Sequence, residues 1–204
     1  MQVSLRDVSK GLALPTTSVD FASGQSVVVV AETEQRPTVL GLIASGRMRS
    51  ATGLVLIDGQ EDASALRRRV ALVDAPGVSD PAPDVTVAGV TAEELMFAGR
   101  TANPLAVRRW LDEAGYATLA RVPIGDVSPR ERIGLLLALT ALRDGVEGIV
   151  LVSPDRHGGD PLEWKQLADT FAARGLAMLV IAGEAAASLL RLQPAEPTGA
   201  GEQE

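Results

Sequence analysis

The chain has 204 residues, a length that suits one domain, and 46% of them are hydrophobic, enough for a sizeable core. A net charge of −7 with a pI of about 4.8 argues against a nucleic-acid surface, which needs a basic stripe. The absence of cysteine excludes disulfides and thiolate metal sites, the first residues hold no signal-peptide apolar stretch, and the longest apolar run, around Leu135–Leu142, is too short for a membrane span.

In chain order, Gln2–Val8 alternates apolar and polar residues and predicts a strand of an antiparallel sheet with one wet face. Ser26–Ala31 is a continuous β-branched run, the pattern of a parallel strand buried on both faces. A helix over about 37–46 follows, then an alternating strand over Gly53–Asp58 and a helix over 61–68. The basic run Arg67-Arg68-Arg69, with Glu61 and Asp62 nearby, reads as a solvated helix end. Val70–Asp74 is a further buried strand, and the Pro/Gly-rich stretch 75–90 reads as loop. Helices are predicted over 91–99, 104–115, 129–143, 161–174 and 184–191, with buried strands at Gly148–Ser153 and Ala177–Ala182. Asn103-Pro104, Ser128-Pro129 and Asp160-Pro161 each place a capping side chain before a proline at the first helical position. Glu131 and Glu163 complete two capping boxes. From Gln193 the tail is polar and aperiodic, and it is expected to be disordered. The lone histidine, His157, falls in a loop and reads as solvated.

The order of these elements carries a resemblance. FASGQSVVVVA (21–31) leads from a glycine turn into a buried strand and straight into a helix. TGLVLIDG (52–59) ends in Asp58-Gly59 and is followed by the basic helix and the strand RVALV, and Asp84-Val85-Thr86-Val87 comes next. Over about residues 2–192 this resembles the ATP-binding subunit of ABC transporters. The resemblance implies an α/β fold: a P-loop NTPase-like parallel core sheet with antiparallel N-terminal strands and a small helical subdomain over about 76–127.

The same alignment shows what is missing. The family's phosphate loop, G-x-x-G-x-G-K-[ST], wraps phosphates with backbone N–H groups and neutralises them with Lys. The matching stretch is Ala31-Glu32-Thr33-Glu34-Gln35-Arg36-Pro37-Thr38: no glycine remains, Pro37 replaces the Lys, and only the hydroxyl of Thr38 survives. Pro37 still suits a helix start. Glu32 and Glu34 bring negative charge to the triphosphate position and are expected to occupy the positive end of that helix themselves. In the Walker B register, Ser153 stands at the Mg²⁺-holding Asp and Pro154 at the water-polarising Glu, while Asp155 lies one residue further and points elsewhere. The signature segment reads Val127-Ser128-Pro129-Arg130-Glu131, keeping Ser128 but neither glycine. Asp160 matches the aspartate that closes the Walker B loop, and its capping role explains it equally well. The Gln that would follow RVALV, near Asp74 or Ala75, is absent, as is the switch His near Ala182–Glu184.

Thr38, Ser128 and Asp160 are thus the remaining nucleotide-site positions. No catalytic residue, no metal ligand and no cofactor is expected; ATP and Mg²⁺ enter only under the alternative below. In the family the helical subdomain and the Gln-loop groove receive a membrane subunit, and here about 74–117 matches, with Leu95, Met96, Phe97, Trp110 and Tyr116 as contacts. The resemblance implies a non-hydrolysing scaffold or regulator of a bacterial membrane complex. It would be cytoplasmic and peripheral on the inner face of the membrane, partnered by an integral membrane subunit and a second ABC-type subunit in a homo- or heterodimer, with no nucleic acid and no membrane insertion. The alternatives are an atypical ATPase that binds ATP, and a soluble interaction module without a membrane partner.

Overall fold

The continuous apolar runs are buried because both of their faces are covered. In the computed structural model, which describes residues 1–32 and 36–192, the elements run in this order: β1 (Gln2–Lys10), β2 (Leu14–Ala22), β3 (Ser26–Val30), α1 (Arg36–Ala44), β4 (Thr52–Ile57), α2 (Ala63–Arg69), β5 (Val70–Val73), α3 (Val87–Phe97), α4 (Pro104–Ala114), α5 (Pro129–Thr140), β6 (Gly148–Val152), α6 (Pro161–Ala173), β7 (Ala177–Ala182) and α7 (Glu184–Leu192). Short 3₁₀ turns occupy Ala117–Leu119, Ile124–Asp126 and Pro154–His157. The predicted tail at 193–204 lies outside the described residues.

Four strands form a parallel sheet in the order β3-β7-β6-β5. Its side chains alternate strictly between two apolar clusters. Ile149, Leu151, Met178 and Val180 face α3, α4, α5 and α6. Val150, Val152, Leu179 and Ile181 face α1, α2 and the second sheet. This is why β6 and β7 contain no polar residue. The second sheet is antiparallel, in the order β2-β1-β4, and turns Val3, Leu5, Leu14 and Phe21 inward.

β2 is a strand that the sequence pattern does not predict. Its polar middle, Thr16–Ser18, hides the alternation that Leu14, Val19 and Phe21 carry, and Pro15 argues against an inner strand. As an edge strand, β2 tolerates that proline. Opposite it β1 bulges at Asp7, whose φ is +50°. Gly53 of β4 crosses this bulge, where a Cβ would collide with the Arg6 carbonyl oxygen, so only glycine fits. The loop predicted over 75–90 also ran too far. Thr86 accepts a hydrogen bond from the Gly89 N–H at 3.2 Å and starts α3 at Val87, a cap concealed among β-branched neighbours.

The three Xaa-Pro starts hold. Asn103 Oδ1 accepts from the Ala106 N–H at 2.9 Å, Ser128 Oγ from the Glu131 N–H at 3.4 Å, and Asp160 Oδ1 from the Leu162 N–H at 2.9 Å. The glutamates of the predicted capping boxes act otherwise. The Glu131 carboxylate accepts from the Ser128 hydroxyl, and Glu163 lies 3.7 Å from Arg130. Ser128→Ala and Asp160→Ala should each lower the unfolding free energy by about 1 kcal/mol in urea titrations, while Ser128→Asn should stay within a few tenths.

Candidate functional site

Parallel strands all end at one edge of their sheet, so the loops after β3, β5, β6 and β7 gather there and form the natural place for a site. After β3, Ala31 extends the pairing through a bond from its N–H to the Ala182 carbonyl oxygen. α1 then starts at Arg36, with Pro37 and the half-buried Thr38 in its first turn. Proline is suited to that turn because the first helical N–H groups have no intrahelical partner.

Glu32 does not sit at the start of α1 as expected. Its Oε1 accepts from the Glu184 N–H at 2.9 Å, at the first residue of α7. Asp155, beyond β6, accepts there too: its Oδ2 takes the Gly183 N–H at 3.0 Å. The strands on both sides of β7 therefore send a carboxylate to the positive end of α7, satisfying donors that a helix start leaves open. Glu34 lies outside the described residues.

After β6, Ser153 adopts a left-handed backbone with φ +48°, and its N–H bonds the Ile181 carbonyl at 2.7 Å. Pro154 is buried and opens the 3₁₀ turn 154–157. At the two positions where the resemblance asks for carboxylates, the side chains are thus a hydroxymethyl and a proline ring. Asp160, at the end of this loop, is exposed and caps α6; Ser128 is exposed and caps α5.

The loop after β5 holds the feature that sequence reasoning missed. Asp74 ends the strand with φ +57° and no exposed surface. Arg132 Nη2 from α5 donates to its Oδ1 at 2.7 Å. Arg156 Nη2 reaches the same oxygen at 3.0 Å, and His157 Nε2 lies 2.6 Å from Oδ2. His157 is therefore not a solvated loop residue: a buried carboxylate holds it. Arg156 also lies 3.5 Å from Asp80 Oδ2, and Asp80 accepts from the Gly77 N–H at 2.8 Å. The segment 75–80 closes on itself through bonds from the Val78, Ser79 and Asp80 N–H groups to the Ala75 carbonyl. Arg132 is itself 4% exposed and also donates to the Ile124 carbonyl at 3.3 Å.

The cluster joins residues 74, 132, 156 and 157, which no local spacing connects. One signal was available. Arg132 stands in the apolar run of α5, beside Ile133 and Leu135, and an arginine there needs a buried partner. Among the described residues no group of three His, Cys, Asp or Glu side chains gathers to hold a metal.

Beside Asp74 lies a cavity of about 480 Å³, between the outer side of β5, the segment 78–82, α3 and α5. Val78, Asp80, Glu94, Phe97, Arg47 and Arg143 line it. Arg143 donates to Glu94 at 2.6 Å and lies 5.4 Å above the Phe97 ring, fixing the end of α3 against the end of α5. Of the contact residues expected from the sequence, Met96 and Phe97 are 63% and 65% exposed. Leu95 is buried in the core, since it falls on the inner face of α3, and this corrects its reading as a surface contact. Trp110 stacks on Tyr116 with 6.5 Å between ring centres, and both pack partly buried against that core.

Burial alone would raise the pKa of Asp74. The hydrogen bonds from His157 and Arg132 and the charges of Arg132 and Arg156 outweigh it and hold the carboxyl below its usual range. A depressed folded-state pKa contributes stability that is full above the unfolded value of about 3.9 and is lost as pH falls through the folded one. Asp74→Ala should cost about 3–5 kcal/mol near neutral pH, because it leaves Arg132 charged and buried. The gap between wild type and Asp74→Asn in urea unfolding should hold constant above about pH 5 and narrow below about pH 4.

No family model and no curated protein matches the sequence. Solved structures do. A nucleotide-free ATP-binding cassette from an ABC transporter aligns over 93% of this chain and 85% of its own, at a TM-score of 0.63 and 15% identity. A dimeric bacterial ABC transporter cassette aligns over 90% and 88%, at 0.64 and 17%. The ADP conformation of an ABC transporter cassette aligns over 90% and 82%, at 0.60 and 16%. Each match extends over at least 90% of this chain, and this chain has the fold of the ATP-binding cassette of ABC transporters.

Proposed function

We propose that the chain is a cassette-fold scaffold that docks on an integral membrane subunit and neither holds nor hydrolyses ATP. One observation carries this reading: the end of β6. Hydrolysis needs one carboxylate to order Mg²⁺ and another to polarise water. Ser153 and Pro154 can do neither; Asp155 Oδ2 is engaged by the Gly183 N–H, and its Oδ1 is buried without a partner among the described residues. Pro37 removes both the phosphate-binding charge and an N–H. Glu32, fixed at α7, adds negative charge to the same strand edge. These residues do not fit a magnesium triphosphate.

The docking half of the proposal rests on the 480 Å³ groove and on the exposed Phe97, Met96 and Val78 around α3 and the 78–82 segment. Exposed aromatic and methionine side chains beside a groove are the composition of protein-binding surfaces. No helix among the described residues is long and apolar enough to cross a membrane, so membrane attachment would come through a partner. Pairing with a second cassette-type subunit remains part of the proposal. The second reading, an atypical ATP-binding cassette, is favoured by Thr38 in the first turn of α1 and by Asp160, which also caps α6.

Two experiments separate the readings. Calorimetry with millimolar MgATP should give no binding heat; a micromolar dissociation constant would overturn the nucleotide half. A pulldown from detergent-solubilised membranes should recover an integral membrane protein, and Phe97→Asp should cut that recovery by about tenfold or more. Recovery of no membrane protein, or recovery indifferent to Phe97, would overturn the docking half and favour a soluble interaction module.

A further inference from the structure

We infer that the Asp74 cluster is a latch that fixes the wall of the groove without any ligand. The carboxylate stands at the end of β5 and is grasped from two sides: by Arg132 on α5, and by Arg156 and His157 on the turn that follows β6. Arg156 extends the grasp to Asp80, and Asp80 closes the 75–80 segment through the Gly77 N–H. Three pieces of backbone that share no local contact in sequence meet at one buried carboxylate.

Asp74, Val78, Asp80 and Phe97 line the same cavity. The latch therefore lies in the wall of the proposed docking surface. A second tie lines the same groove, where Arg143 holds Glu94 and lies over one face of Phe97. With both ties in place, α3 and the 75–80 segment keep one position relative to the parallel sheet.

The energetics favour a closed state. Asp74 is fully buried and Arg132 nearly so, and separating such a pair exposes two desolvated charges to an apolar interior. The Nε of Arg132 already lacks a partner among the described residues, so its guanidinium depends on Asp74 and the Ile124 carbonyl. The left-handed backbone at Asp74 points the same way: an unfavourable conformation persists where surrounding bonds over-determine it.

The purpose assigned to the latch rests on the docking reading above, but its test uses the chain alone. Hydrogen–deuterium exchange on the full chain compares wild type with Arg156→Gln, His157→Asn and Asp74→Asn. The first two remove partners on the turn while keeping the buried Asp74–Arg132 pair, so they supply the answer if Asp74→Asn does not fold. Amides of 75–97 should exchange about tenfold faster in the variants, with β6 and β7 unchanged. Unchanged exchange over 75–97 would overturn the latch. So would acceleration spread equally into β6 and β7, which marks general destabilisation. Failure of the latch leaves the calorimetric and membrane-capture results standing, so the two proposals fail separately.

Discussion

A carboxylate with no exposed surface has to be answered by charge, and the answer at Asp74 organises the edge of the sheet. Arg132 brings α5 to β5, and Arg156 with His157 brings the turn after β6. The geometry of the groove beside α3 follows from where those three donors must stand. Around this point the rest of the fold is ordinary apolar layering, with strict alternation of β5, β6 and β7 side chains between two clusters.

The same logic recurs beyond the neighbouring strands. Glu32 and Asp155 place their carboxylates on the first N–H groups of the α7 end, as Asp74 places its own among arginines. Both carboxylates thereby meet the positive end of that helix. Left-handed backbone at Asp74 and Ser153, both at strand ends, directs the chain sharply into these contacts. The fold is that of an ATP-binding cassette, and the Glu32 and Asp155 carboxylates lie at its strand edge.

Much of the frame was legible in the sequence, and the reasons are physical. β6 and β7 announced themselves because burial on both faces forbids polar residues, and the three Xaa-Pro helix starts because capping chemistry is local. β2 was hidden because an edge strand tolerates Pro15 and polar residues at its centre. α3 began four residues earlier than its periodicity suggested because Thr86, not an apolar residue, sets its start. The Asp74 cluster could not be read by position, because its members come from three distant segments and only folding brings them together. His157 shows this most plainly: alone in sequence it reads as a solvated loop residue, and in space it lies 2.6 Å from a buried carboxylate.

A double-mutant cycle between Asp74 and Arg132 tests most directly whether this buried pair governs the edge. Stability would be measured for Asp74→Asn, Arg132→Met and the double variant by urea unfolding. The account predicts a coupling of about 2 kcal/mol or more, with the double variant more stable than the sum of the single losses allows, since removing both charges leaves neither stranded. Losses that add within about 0.5 kcal/mol would contradict it and reduce the pair to two independent contacts.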